Sequence, residues 1–179
     1  MKTAKGNLRF VVLFPSLGIA VKFARIHLVS AISMFVRDVF FLRLKKLLFD
    51  LNISINCNGL WGYTRFLFGG IKANWKEFVF FKKTKNPFCQ PTYFSFFGLF
   101  NIQKFGALCS IDERALSLQL DVITGYETRG DGHHFHCRDN FSFSDGKLTI
   151  LDYGSAETQK VITEFGQRIH DTFDPNWAK

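Results

Sequence analysis

The chain has 179 residues, 47% hydrophobic and 21% charged, enough for one domain with a buried core and too well balanced for wholesale disorder. Its 23 Phe residues point to a core of aromatic packing. Net charge is +8 but unevenly spread: positions 1–111 hold 16 Lys and Arg against three acids, a net of +13, while 112–179 hold seven against twelve, a net of −5. That asymmetry suits a solvated basic surface, or a basic face for phosphates or an acidic partner, followed by an acidic segment able to hold a cation.

In chain order, Lys2, Lys5 and Arg9 precede an apolar run from Phe10 to Val21 that imitates the start of a signal peptide. Pro15, Ser16 and Gly18 interrupt it, and it is too short to span a bilayer. Leu8 to Phe14 and Ile19 to Ile26 instead predict a hairpin around that turn. From Leu28 to Asp50 apolar residues recur at helical spacing, and Asn52 to Gly62 predicts a loop. A helix is expected over Ile71–Lys83, ended by Asn86-Pro87. Thr92 to Gln103 predicts a strand, with Phe105 to Ile111 as its antiparallel partner. Ser110-x-x-Glu113 predicts a capping box opening a helix to about Tyr126. Thr128 to Asn140 predicts a polar loop, Phe141–Phe143 and Lys147–Leu151 a hairpin around Ser144-Asp145-Gly146, and Ser155 to Phe173 a last helix. Neither repeats nor a linker divide the chain, so 1–179 is expected to be one α+β domain.

Cys57, Cys89, Cys109 and Cys137 are far apart with no C-x-x-C, which predicts reduced thiols in a cytoplasmic protein. The cluster His133, His134, His136, Cys137 and Asp139 contains zinc-ligand types, but residues so close in sequence converge poorly on one tetrahedron. Phe94, Phe96, Phe97 and Phe100 are the right type to stack on single-stranded nucleic acid, although strand aromatics more often form core.

The stretch from Asp139 to Ala156 resembles the run of protein kinases in which a catalytic-loop Asn leads through a hairpin to Asp-Phe-Gly, here Asn140 and Asp152-Tyr153-Gly154. Ile19-Ala20-Val21-Lys22 is similar to the strand carrying the phosphate-contacting Lys, and Glu77 in Trp75-Lys76-Glu77-Phe78 is placed to pair with it. The resemblance implies a small antiparallel sheet with helices, 1–111 forming an N-lobe with a helical insertion and 112–179 a reduced C-terminal lobe. It implies ATP and Mg²⁺ as cofactors, Asn140 and Asp152 as metal ligands, Lys22 on the phosphates, Glu77 orienting Lys22, and Gly154 turning the backbone sharply after Asp152. Asp131, in Gly130-Asp131-Gly132-His133, is the candidate base.

Four features depart from the family, the first being that Glu77 lies 55 residues after Lys22, which requires an inserted helical segment. No G-x-G-x-x-G precedes Lys22, the position five before Asn140 is Phe135, and only 25 residues follow Gly154. Two functions are therefore expected. One is a minimal ATP/Mg²⁺-dependent phosphotransferase acting on a protein or small molecule. The other is a pseudokinase, a non-catalytic binding or inhibitor protein whose basic face engages an acidic partner or nucleic acid. No membrane partner is expected.

Overall fold

The computed structural model describes residues 2–6, 8–40, 62–107, 109–144 and 146–177. The chain is α+β, with a small antiparallel sheet. Strands β1 (Lys2–Lys5), β2 (Arg9–Phe14), β3 (Ile19–Ala24), β4 (Thr92–Phe96) and β5 (Phe100–Lys104) pair in the order β1-β2-β3-β5-β4. Between β3 and β4 come helices α1 (Leu28–Phe40) and α2 (Gly62–Thr84). After the sheet follow α3 (Glu113–Thr124), the short α4 (Gly132–Phe135), the hairpin β6 (Phe141–Ser144) and β7 (Lys147–Ile150), and α5 (Ala156–Thr172).

The N-terminal hairpin is β2–β3, with Val11 opposite Lys22 and the turn closed by Gly18 N–H donating to Pro15 O. β1 is an additional strand: its polar sequence has no alternating apolar pattern, and pairing with β2 alone defines it. The long strand expected over Thr92–Gln103 is a hairpin, β4–β5. Phe97 and Gly98 turn it with φ of 48° and 75°, and a side chain at Gly98 would meet the Ile71 carbonyl, 2.3 Å from an added Cβ. Phe105 to Ile111 contains no strand among its described residues. Both edges of β5 are already paired, to β3 and β4, and the chain instead leaves the sheet so that Cys109 N–H donates to Phe141 O.

Helix α2 begins at Gly62, nine residues before the spacing predicts. Its first turns lie against the α1 entry, where His27 N–H donates to Phe66 O at 3.0 Å, so tertiary packing overrides weak local propensity. Positions 41–61, which include the end of the first expected helix and all of the expected loop except Gly62, lie outside the described residues. The cap of α3 is Asp112 rather than Ser110: its carboxylate accepts from Ala115 N–H at 3.0 Å. The expected polar loop 128–140 is wound into α4 and two 3₁₀ turns.

The main apolar core lies beneath the hairpin and α3 and α5. Phe88, Leu116, Leu120, Phe135, Phe141, Leu148, Ile150 and Ile162 are fully buried there, with Phe80 and Phe81 of α2 packed against it. Cys89, Cys109 and Cys137 are free thiols; Cys57 lies outside the described residues. Among the described residues no helix is long and apolar enough to cross a membrane.

Candidate functional site

The inner face of the sheet meets α2 through charge rather than hydrocarbon. Alternation along β2 puts Arg9 on the same face as Val11, and therefore beside Lys22 on β3. Glu77, on the third turn from the end of α2, faces both cations and is fully buried. Lys22 Nζ lies 2.9 Å from Glu77 Oε1, and Arg9 Nη1 lies 3.0 Å from Glu77 Oε2. Tyr153 N–H adds a third bond to Glu77, on Oε1 at 3.2 Å. Lys22 also donates to Leu151 O at 2.5 Å. The other amine of Arg9 contacts Asp152 Oδ1, closing a group of two cations and two carboxylates. Asp152, with 31% of its side chain exposed, is its most open member.

Gly154 is where this segment passes closest to α2. An added Cβ would lie 2.7 Å from Ala73 O, and φ at Gly154 is not positive. Its role is thus close approach, not the sharp turn expected. The contact brings Leu151, Asp152 and Tyr153 against Glu77. The surroundings are pinned by amides: Asn74 Nδ2 donates to Lys22 O and Gly98 O, and Gln103 Nε2 donates to Leu151 O.

These neighbours set the charges. Burial alone would lower the Arg9 pKa, but the Asp152 and Glu77 carboxylates outweigh it and hold the guanidinium more firmly protonated than usual. Burial lowers the Lys22 ammonium pKa, with Glu77 opposing and Arg9 adding to the shift. Burial would raise Asp152, but Arg9 first and Lys22 second pull it well below the ordinary carboxylate range.

Asp131 and Asn140 stand on the far side of Asp152, in the wound segment before the hairpin. Asp131 Oδ1 meets His134 Nδ1 at 2.8 Å, while Oδ2 accepts from Ser155 Oγ at 3.3 Å and from Thr158 Oγ1. Both carboxylate oxygens are engaged, and the helix cap Ser155 is tied to them. Burial would raise the Asp131 pKa; the bonds from His134 and Thr158 bring it below normal. His134 Nε2 in turn lies 3.9 Å from Asp152 Oδ1. Burial would lower the His134 pKa, but Asp131 and Asp152 raise it overall. Asn140 Nδ2 donates to His133 O and His134 O at 3.3 and 3.1 Å, and Asn140 O accepts from Leu151 N–H at 2.7 Å. Phe135 is fully buried in the apolar core.

Lys22 and Glu77 are in direct contact, Asp152 joins them through Arg9 and Asp131 reaches Asp152 through His134, whereas the Asn140 side chain is turned to the His133 and His134 carbonyls and only its backbone meets Leu151. Arg9 is missed by sequence reasoning, and His134 enters it only as one member of the His133–Asp139 cluster. Arg9 reads as one of several N-terminal charges, yet its two-residue offset from the position opposite Lys22 places it on the same face. His134 was hidden among neighbouring histidines, and only its three-residue spacing from Asp131 hints at the pair. Among the described residues no three His, Cys, Asp or Glu side chains converge as metal ligands.

Elsewhere, Phe94, Phe96 and Phe97 are exposed rather than core. Phe97 joins Phe68, Ile71, Lys72 and Trp75 around a groove of 440 Å³, on the side of α2 away from Glu77. A scan against protein-family models finds no match for the chain, and searches of curated proteins and of solved structures find none either.

Proposed function

We propose that this chain is a kinase-like ATP-binding protein whose nucleotide site is built on Lys22, Glu77, Arg9 and Asp152. The observation that carries the reading is the Lys22–Glu77 pair at 2.9 Å, made across 55 positions and set beside Asp152. A kinase uses a strand Lys oriented by a helix Glu to hold nucleotide phosphates, with an Asp after a hairpin close by. Lys22 lies on the third strand and Glu77 on a helix packed beneath it, and this pairing supports the reading. A buried ion pair is weak evidence for stability on its own, and a role in holding an anionic ligand gives it a purpose.

The site is better equipped to hold a nucleotide than to transfer its phosphate. Asp131 has both oxygens engaged, and the position where the family carries its base is the buried Phe135. Asp152 and Asn140 offer the hard oxygens Mg²⁺ prefers. However, Arg9 already holds Asp152 Oδ1, and Arg9 and Lys22 balance Glu77 and Asp152 in charge. These residues do not fit a dedicated divalent site, so the favoured reading is a binding protein of pseudokinase type. Its basic N-terminal surface then engages an acidic partner.

The second reading, a phosphotransferase acting on a protein or small molecule, is favoured by one observation. His134, aligned by Asp131, puts a ring nitrogen 3.9 Å from Asp152. Calorimetric titration of ATP into wild type and Lys22→Met tests the shared site: saturable binding by wild type, weakened at least about tenfold in the variant, is expected for loss of a charge-assisted phosphate contact. Equal binding by both proteins rejects the assignment. Release of phosphate or labelled product by wild type would move the conclusion to the second reading.

A further inference from the structure

Arg9 is the least expected member of the site, and its placement bears on how a nucleotide would be held. It opens β2, where Gly6 N–H donates to Arg9 O at 2.9 Å and closes the β1–β2 turn. A family member would cover the phosphates with a glycine-rich loop at this end of the sheet; here the same place supplies a guanidinium. Arg9 as a residue is nine-tenths buried, and its guanidinium is forked between two carboxylates of distant elements, Glu77 of α2 and Asp152 after β7.

The local charges are two positive and two negative. A divalent ion brought to Asp152 adds two further positive charges beside a fixed guanidinium and a fixed ammonium. Moving Arg9 aside would leave a buried guanidinium sharing Glu77 with Lys22, an under-compensated charge in a poorly solvated place. A phosphate group could instead be held through Arg9 donors that the two carboxylates do not occupy. Arg has five N–H donors in a planar fork suited to phosphate oxygens, and the two contacts to Glu77 and Asp152 leave others unused. The partly exposed Asp152 marks the side from which a ligand would approach.

We propose that Arg9 is the resident cation of this site: it neutralises Asp152 in place of a divalent ion, so that ATP is bound on Arg9 and Lys22 without a divalent metal. The inference rests on the nucleotide reading above and deepens it. Arg9 acts both as a phosphate-binding group and as the residue that positions Asp152.

The test is the ATP affinity of the full chain, measured once with Mg²⁺ and once with EDTA. The two dissociation constants should agree within about threefold, well short of the tenfold that 1.4 kcal/mol represents. In Arg9→Gln, ATP affinity in EDTA should fall at least about tenfold, with part of it recovered on adding Mg²⁺. Arg9→Lys, which keeps the charge and loses the fork, should bind ATP in EDTA more tightly than Arg9→Gln. Should neither variant fold, the wild-type comparison decides alone. Binding by wild type that needs Mg²⁺ overturns the role of Arg9 and leaves the nucleotide site standing. No binding with or without Mg²⁺ overturns both.

Discussion

Two buried regions of this molecule are built on opposite principles. Beneath the β6–β7 hairpin the interior is hydrocarbon, with Phe88, Leu116, Leu120, Phe141 and Ile162 fully buried and free of charge. Between the sheet and α2 the interior holds Arg9, Lys22, Asn74, Glu77, Asn101 and Gln103. The apolar region is sufficient reason for that part of the chain to fold. The polar region is costly: charges lose their water, and Asn74 Oδ1 and Asn101 Oδ1 are buried without a hydrogen-bond partner among the described residues. An interior assembled from such groups suits a ligand better than it suits stability.

The comparison can be broken first at Glu77. Glu77→Gln keeps the shape but removes the charge that faces both cations, so unfolding free energy in urea should drop by about 3–5 kcal/mol, the cost of breaking a buried pair. It should also weaken ATP binding. In the apolar region, Leu120→Ala should cost about 2–5 kcal/mol yet leave ATP affinity of the folded protein unchanged. If Leu120→Ala and Glu77→Gln alter ATP affinity equally, the two regions are not functionally distinct. At the surface, Asp112→Ala removes the cap of α3 and should cost only about 0.5–2 kcal/mol by the same denaturation, again with no effect on ATP.

Acid sharpens the contrast. Asp152 and Asp131 have folded pKa values below their ordinary value of 3.8. Their contribution to stability is therefore present above about pH 4 and lost as pH falls through the lower folded values. His134 runs the other way: its raised pKa gives stability that is present below the ordinary 6.5 and lost as pH rises through the folded value. Denaturation midpoints measured from pH 2 to 8 should show a steep acid limb that flattens in Asp152→Asn. An unchanged limb would mean that Asp152 is not held by Arg9 in solution.

Much of this was legible from residues alone. The β2–β3 hairpin follows from apolar runs either side of Pro15–Gly18, and the β6–β7 hairpin from its Gly146 turn. The Lys22–Glu77 pair was legible through the resemblance to the kinase strand and helix, with few other acids before position 112 to compete. What was not legible depended on tertiary partners. β1 has no apolar signature and exists through pairing, and the turn at Phe97-Gly98 hides inside a stretch so rich in Phe and Tyr that it reads as one strand. The part of Asp131 is set by Ser155 and Thr158, more than twenty positions away. Arg9 needed strand register before its charge could be placed beside Lys22.

The central claim is that the four paired charges form a nucleotide site and not merely a clamp between the sheet and the hairpin. Melting of the wild-type chain across a series of ATP concentrations tests this most directly. A specific ligand near 100 times its dissociation constant adds roughly 2.7 kcal/mol, or about 5–10 °C in melting temperature for a protein of this size. The account predicts a saturable rise of that order in wild type and little or none in Lys22→Met. A wild-type melting temperature that does not move with ATP, or an equal rise in Lys22→Met, would contradict it.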